Sequence, residues 1–294
     1  MISGLLTSEA SRDKIASLAE AEADALAVAS GVSVRTLHGP AEMELASALL
    51  ATIWKAEGNE PHIDPGLLVA LAHAHNYVAG AYRGADLVAV CVGFFHPPPD
   101  RALHSHIAGV VGGSDGAGVG KALKHHERAW CLRRGTNTMT WTFDPLIARN
   151  AYFNIHRLGT AAMEYLPNFY GEMTDSINRG QDSDRMLLVW DLLREPGARI
   201  AAGTSEPEAC VLYNEDGVPR LSLDSLGSAQ RVRVEIPSDI ETMRIEHPDR
   251  AARWRPALRD ALATLMNDGW QVTDFARRGH YSLERTPTRA HSQH

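Results

Sequence analysis

The stretch that decides the fold is residues 103–169, LHSHIAGVVGGSDGAGVGKALKHHERAWCLRRGTNTMTWTFDPLIARNAYFNIHRLGTAAMEYLPNF. Its apolar start, 103–111, predicts a strand, and the glycine-rich residues 112–120 predict a turn that opens a helix. Such a turn presents backbone N–H groups and the positive end of the helix dipole to an anion. The stretch therefore predicts either a site for the pyrophosphate of a nucleotide or of CoA, or simply a flexible turn.

The residues after the turn predict a helix, a strand and a second helix. Apolar residues from Val119 to Trp130 recur at helical spacing, and residues 138–143 alternate apolar and polar side chains. Residues 147–158 predict the second helix, which Gly159 ends. The turn is not a Walker A loop, because no Gly-Lys-Ser/Thr follows it, and no acidic residue evidently closes a dinucleotide-binding unit.

The rest of the chain divides around this stretch. We expect an N-terminal helical extension over 1–31, the main domain over 32–195, a C-terminal α+β region over 196–285 and a disordered tail over 286–294. The order of elements in the C-terminal region repeats that at 147–192, which suggests a degenerate second half. Pro256 is expected in the first turn of a helix that Gly269 ends, since proline within a helix breaks its hydrogen bonding. The remaining patterns predict strands at 32–37, 77–82, 87–95, 161–169, 186–192, 210–213, 232–236, 270–275 and 280–284.

Composition narrows the classes of function. The 294 residues carry a net charge of −7, which argues against a nucleic-acid partner, because general nucleic-acid binders need a basic surface. The three cysteines are far apart and indicate neither a disulfide framework nor a zinc knuckle. The sequence shows neither a signal-peptide pattern nor an apolar run that could cross a membrane, so we expect a cytoplasmic protein without a membrane partner.

The pair Gly118 and Gly120, which opens a helix after a strand, resembles the acyl-CoA motif of the GCN5-related N-acetyltransferase (GNAT) superfamily. The longer text WTFDPLIARNAYFNIHRLG (141–159), with HSH before it and NFYG and SDR after it, resembles a narrower group of acetyltransferases in that superfamily with a C-terminal extension. The text VRVEIPSDI (232–240) and the helical segments around it also resemble that group. The resemblance thus covers most of residues 32–285.

This resemblance implies an α/β (α+β) fold with a mixed, mostly antiparallel sheet flanked by helices. Two parallel strands, 103–111 and 138–143, would diverge, and the pantetheine arm of an acyl-CoA would enter between them. The pyrophosphate would lie on the loop amides, and a backbone N–H near Ala108 or Gly109 would polarise the thioester carbonyl. The implied cofactor contacts are Ile107, Ala108, Gly109, Val110, Val111, Gly116, Ala117, Gly118, Val119 and Gly120, with Asn150 and Asn154 as further candidates.

Two positions depart from the superfamily pattern. Asp115 stands where the pattern has Arg or Gln, three residues before Gly118, and a carboxylate there repels a pyrophosphate. Ile155 stands where many members carry the Tyr that protonates the leaving thiolate. Tyr152, His156, a tyrosine of the next strand or water are the candidates for that acid.

His104 and His106 are the candidate catalytic bases. On a strand they point to one face, where either could deprotonate an amine. They could equally be histidines satisfied by hydrogen bonds, or metal ligands together with His96 or Asp144. We expect no metal.

Polar residues of the strand 138–143 and of the helix after it form a third candidate cluster, which includes Thr140 and Thr142. Asn150 and Asn154 lie four residues apart, on one face of a regular helix. Asp144, before Pro145, could instead cap that helix. The candidate substrate contacts are Trp141, Asp144 and Arg185, the last of which could also form a solvated salt bridge.

Together, these features predict an acyltransferase. An acyl group, acetyl foremost, would pass from an acyl-CoA to a small amine or amino-acid-like acceptor by direct attack, without a covalent enzyme intermediate. The alternatives are a degenerate scaffold that binds a ligand without catalysis, and an acyl-CoA enzyme of other chemistry, such as a decarboxylase or hydrolase. The C-terminal region is expected to cover the acceptor side or to build a homodimer.

Overall fold

The computed structural model describes residues 9–54, 63–112, 118–171, 182–198 and 208–285. These residues form two compact units. The first comprises the described residues of Met1–Trp141 together with Asp191–Arg194, and the second comprises the other described residues from Thr142 onward. The division at Trp141 and Thr142 falls inside the main domain expected from the sequence, whose limits stay a prediction. Within the described ranges, no helix combines the length and the apolar character needed to span a membrane.

The first unit alternates helices and strands. Its helices are α1 (Glu9–Ala29), α2 (Gly39–Trp54), α3 (Pro65–His73) and α4 (Val119–Arg133). Its strands are β1 (Ser33–Thr36), β2 (Tyr77–Arg83), β3 (Asp86–Phe95), β4 (Ala102–Val110) and the first four residues of β5 (Thr138–Phe143). The strands predicted for this part of the chain are therefore present, α4 is the helix predicted after the glycine-rich turn, and α1 is the predicted N-terminal helix.

The strands of the first unit lie side by side in the order β1-β2-β3-β4-β5. Neighbours from β1 to β4 are antiparallel, whereas β4 and β5 are parallel. One core of this unit joins α2 and α3 to the sheet through Met43, Leu50, Leu68, Val90 and Ile107, among others. The predicted mixed, mostly antiparallel sheet flanked by helices is confirmed.

Helix α1 packs on α4 through small side chains. Its buried residues are Ala16, Ala19, Ala23 and Ala27, which recur every three or four residues and so share one face. Ala19 and Ala23 contact Ala129 of α4, beside Leu132. Because alanine has a single methyl group, the two helices can approach closely along this seam.

The second unit contains the remaining elements. Its helices are α5 (Ala148–Ala151), which continues into a π-helix (Tyr152–Arg157), α6 (Ile240–Glu246) and α7 (Pro248–Asn267). Its strands are β6 (Ala161–Leu166), β7 (Arg185–Asp191, as far as Trp190), β8 (Ala209–Glu215), β9 (Val218–Leu221), β10 (Arg231–Glu235), β11 (Trp270–Ala276) and β12 (His280–Arg285). The patterns had not predicted β9 or the 3₁₀ turn Leu223–Leu226, and β6 ends three residues earlier than expected.

The second unit has its own sheet, in the order β11-β12-β10-β8-β9. Within the same unit β6 and β7 pair antiparallel. Helix α7 buries one apolar face, which includes Trp254, Leu258 and Leu262. Tyr281 of β12 is fully buried and donates a hydrogen bond to the Pro145 carbonyl, at 2.6 Å, so the residues that follow β5 pack with the C-terminal sheet.

Pro256 lies in the middle of α7, so its expected place in the first turn is wrong. The first turn instead holds Pro248, which starts the helix. Pro256 has no N–H for the carbonyl of Ala252, four residues earlier. Both residues are exposed, so water can bind that carbonyl, and this exposure is why the helix continues through the proline.

Pro256→Ala should raise the free energy of unfolding by about 1–2 kcal/mol, because alanine restores the missing N–H and removes the ring without losing a buried contact. Urea unfolding measures the change. The control is Arg253→Ala at an exposed position of the same helix, expected within about 0.5 kcal/mol of the unchanged protein. A loss of stability in Pro256→Ala would contradict this account of the helix.

Candidate functional site

Strands β4 and β5 stop pairing after a short parallel ladder. The ladder pairs Ala102 with Thr138, Leu103 with Met139 and His104 with Thr140. Beyond it β4 continues from Ser105 to Val110, paired along its other side with β3. On the β5 side no described strand pairs with these residues, so their outward N–H and C=O groups form an open edge. The predicted divergence of the two strands is therefore present in the first unit.

A β-bulge lies where the strands diverge. Ser105 pairs with Gly93 of β3 and Ile107 pairs with Val92, which leaves His106 as an extra residue on β4. The bulge changes which side chains of β4 face α4. Ser105, on the N-terminal side of the bulge, and Val110, on its C-terminal side, both face α4. In a regular strand, two residues an odd number apart would point to opposite faces.

The open edge of β4 leads to the start of α4. Gly118, the residue before the helix, has a φ of +81°, and a Cβ on it would come within 2.7 Å of the Ser30 hydroxyl oxygen, so only glycine fits. Gly118 lacks a capping side chain, and the first turn of α4 contains no acidic residue. The first amides of α4 and the helix dipole thus favour an anion. Gly116, Ala117 and Asp115, which differs from the superfamily pattern, lie outside the described residues.

A buried ion pair lies under the point of divergence. The Lys124 ammonium of α4 donates to Glu127, at 2.8 Å, and to the Ser105 hydroxyl, at 2.5 Å. The Ser105 hydroxyl donates to the same Glu127 oxygen, at 3.0 Å. The ammonium also lies 4.6 Å from the Trp141 ring centroid and 4.0 Å from the Met139 sulfur. Lys124 therefore contacts both strands at the residues that directly follow the ladder, Ser105 of β4 and Trp141 of β5.

Charge pairing keeps Lys124 protonated in this environment. Burial by itself lowers the pKa of the Lys124 ammonium, but the negative charge of Glu127 more than compensates, and the pKa is raised. Glu127 is fully buried, and its second carboxylate oxygen has no hydrogen-bond partner among the described residues. The sequence carries only a weak signal for this pair, which is a Lys and a Glu three residues apart within the same helix.

The candidate bases lie on the opposite face of β4, with the rings on one side as predicted. The rings of His104 and His106 both pack against Phe94, with centroids 5.2 and 5.8 Å from its own, and lie 6.3 Å from each other. His104 Nδ1 is 3.1 Å from the Thr140 hydroxyl. Burial, then the charges of His106, His96 and Lys124, lower the pKa of His104 to about 4, so its imidazole is neutral at pH 7.

The two candidate acids, Tyr152 and His156, lie together in the second unit. They are four residues apart in the π-helix, and their rings stack with centroids 4.6 Å apart. His156 Nδ1 is 2.9 Å from a carboxylate oxygen of Asp274 on β11. A carboxylate partner fixes the tautomer and orientation of an imidazole. Their role as acids stays a prediction.

Asn150 and Asn154, the two further candidate cofactor contacts, differ in burial. Asn150 is exposed in α5, whereas Asn154 is buried in the π-helix. Their common helical face and their contact with a cofactor stay predictions. Ile155, the second departure from the superfamily pattern, is buried beside Asn154.

Asp144 is bound on both carboxylate oxygens by residues of its own unit. Arg255 makes a bidentate contact, at 2.7 and 2.8 Å, and Arg244 lies at 3.2 Å. Asp144 also accepts a bond from the Leu146 N–H, so it caps the turn after β5 rather than α5, which begins at Ala148. Burial raises its pKa, and the two arginines overcome this and lower the pKa to about 2.

The other two candidate substrate contacts lie in different units. Trp141, in the first unit, is buried under the Lys124 ammonium. Arg185, in the second unit, donates to the Asp184 carbonyl at 2.9 Å and lies over the Tyr170 ring. As with Asp144, a substrate contact for either residue stays a prediction. In the described part of the chain, no three His, Cys, Asp or Glu side chains are arranged to hold a metal ion.

Comparison with known proteins gives similarity in structure only. No family model and no curated protein matches the chain. The ribosomal-protein-S18-alanine N-acetyltransferase from Escherichia coli has 13% identity and a TM-score of 0.44, over 58% of this chain and 99% of its own. A putative acetyltransferase from Salmonella typhimurium, solved with its cofactor acetyl-CoA, has 15% identity and a TM-score of 0.45, over the same shares.

Lys124→Met should lower the free energy of unfolding by about 3–5 kcal/mol, because it leaves the Glu127 carboxylate buried without its counter-charge. The double variant Lys124→Met/Glu127→Leu should recover most of that loss, since it removes both charges. Lys121→Met, a half-buried lysine of the same helix, is the control. If chemical denaturation finds the single variant as stable as the control, the buried pair is not what holds this region.

Asp144→Asn should lower the free energy of unfolding at pH 7 by about 2–4 kcal/mol. The depressed pKa of Asp144 contributes stability above its ordinary value near 4, and this contribution is lost as pH falls toward about 2. The difference between the variant and the unchanged protein should therefore shrink over that interval. Urea unfolding between pH 7 and 3 measures it, with the exposed Asp86→Asn as control. A difference independent of pH would contradict the ion-pair explanation.

Proposed function

We propose that the chain is an acyl-CoA-dependent N-acyltransferase of the GNAT type, acting on a small amine. One observation carries the proposal: the open edge of β4 beyond His104 ends at Val110, which lies beside Gly120 in the uncapped first turn of α4. An extended ligand with amide groups can pair with such an edge as an added strand would. A phosphate group at its end would then meet the first amides of the helix.

The residues at the edge fit an acyl-CoA. Its pantetheine arm carries two amides for the backbone of β4, and its pyrophosphate suits the helix start. Gly120 also leaves room there, because a Cβ on it would make only ordinary contact with Val110, at 3.7 Å. When bound, the acyl-CoA supplies the activated thioester carbon that the amine attacks. Asp115 opposes the pyrophosphate by its charge, so the backbone amides must supply the attraction.

The chain's own groups would then perform three tasks. Backbone N–H groups near the bulge, at Ala108 or Gly109, would bind the thioester oxygen as it gains negative charge. The neutral imidazole of His104 would accept the proton of the attacking amine. The strands would hold the two reactants in line, which supplies most of the rate without a covalent enzyme intermediate.

A non-catalytic module on the same scaffold is the second candidate. The buried Ile155, in place of a hydroxyl-bearing acid, favours it. Calorimetry with acetyl-, succinyl- and malonyl-CoA, followed by a thiol-release screen over small amines, separates the two. Binding with turnover supports the transferase, binding without turnover supports the module, and no binding contradicts the transferase.

Gly120→Asp should weaken acetyl-CoA binding by at least about tenfold, because it places a carboxylate beside the pyrophosphate at the start of α4. The fold should persist, because an acidic residue is favoured in the first turn of a helix. Gly120→Asn, of the same shape and without charge, is the matched control for steric effects. Calorimetry measures both variants. Equal affinities for the two would show that the phosphate does not lie at this helix start.

A further inference from the structure

Three side chains of the first unit meet where β4 and β5 diverge. The Thr140 hydroxyl oxygen lies 3.1 Å from His104 Nδ1 and 3.0 Å from His96 Nε2. His104 and Thr140 are also the last paired residues of the parallel ladder. The two hydrogen bonds therefore start at the candidate base and lead away from it through one hydroxyl.

The hydroxyl sets the direction of the chain of bonds. Thr140 has a single hydroxyl proton, so it can donate to only one of the two imidazoles, and in that arrangement it accepts from the other. If His104 Nδ1–H donates to Thr140, Thr140 donates to His96 Nε2, and His104 Nε2 is left as an acceptor for a substrate proton. In that arrangement His96 carries its proton on Nδ1, which lies 3.9 Å from a carboxylate oxygen of Asp100.

The His96 end of this series of hydrogen bonds lies on a rigid turn and reaches water. His96 precedes Pro97 and the 3₁₀ turn Pro98–Asp100, and its N–H donates to the Ala102 carbonyl across that turn, at 3.0 Å. Prolines fix the backbone here, so the His96 ring keeps its position. The Asp100 side chain is 55% exposed, whereas Thr140 is buried, so the bonds run from the interior to the surface.

His104 by itself is a poor place to store a proton. It is partly buried, and the charges of His106 on its own strand, of His96 just after β3 and of the Lys124 ammonium on α4 all act on it, with Asp100 lying past His96. These surroundings disfavour a second positive charge. A base in this position works best if the proton it takes is passed on at once.

We propose that Thr140 and His96 form a proton relay for His104; this rests on the acyltransferase function proposed above. As the amine attacks, its proton binds His104 Nε2, and His104 releases the proton on Nδ1 to the Thr140 oxygen. Thr140 releases its own proton to His96 Nε2, and His96 releases its Nδ1 proton toward Asp100 or water. One proton enters and one leaves, so each group regains its original number of protons. Thr140 and His96 are positioning residues in this scheme.

The first test needs no substrate. NMR of histidine ring nitrogens, in protein labelled with ¹⁵N-histidine, reports which nitrogen carries the proton. His104→Gln and His96→Gln assign the two signals. The relay requires protonated Nδ1 on both His104 and His96, and Thr140→Val should change the tautomer signals of both rings, whereas Thr140→Ser should keep them. A His104 with its proton on Nε2, or signals unchanged in Thr140→Val, would overturn the relay.

The second test uses the amine found in the thiol-release screen. Thr140→Val should lower kcat by about 10- to 100-fold, with the KM for acetyl-CoA unchanged and with Thr140→Ser restoring the rate. A Thr140→Val variant with full kcat overturns the relay while the acyltransferase function stands. Failure of the unchanged protein to bind any acyl-CoA overturns that function instead, and the relay with it as a catalytic device, whatever tautomers are found.

Discussion

The structure of the first unit depends on the point where β4 and β5 stop pairing. Three residue pairs join the strands, and the ammonium of Lys124 then contacts Ser105 on one strand and Trp141 on the other. An ammonium group needs hydrogen-bond acceptors and a counter-charge when it is buried, and Ser105 and Glu127 supply them. A charged group thus lies on α4 beneath the position at which a longer parallel ladder would have continued.

This divergence gives each part of the candidate site its position. It leaves the edge of β4 open, and the bulge at His106 changes the facing of the residues that follow. On the face away from Lys124, the last pair of the ladder brings His104 beside Thr140, and Thr140 in turn contacts His96. The proposed binding edge, base and relay therefore all depend on this one feature of the backbone.

In the second unit, a set of polar contacts holds the turn after β5. Asp144 is anchored by Arg255 and Arg244, and Tyr281 holds the neighbouring Pro145 carbonyl. A separate network in this unit joins Arg259 to Asp182 and Asp184, and Asp184 also accepts a bond from Tyr165. Such ion pairs fix one arrangement of chain segments that are distant in sequence. The WTFDP text thus combines the end of a strand with Asp144, whose carboxylate is bound by arginines of the protein itself.

The sequence by itself determined the features that depend on local physics. Apolar runs and period-two alternation predicted the strands of the first unit, helical spacing predicted α4, and the glycines predicted the turn before α4, because backbone preferences act over a few residues. The spacing of His104 and His106 predicted their common side. Tertiary structure alone decided the end of the parallel ladder, the bulge at His106, the burial of Lys124 against Glu127 and the contacts of Thr140. Thr140 is 36 residues from His104 and 44 from His96, so only the pairing of strands brings them together. It also decided the π-helix and the course of α7 through Pro256, because exposure and packing there override the local propensity of the chain.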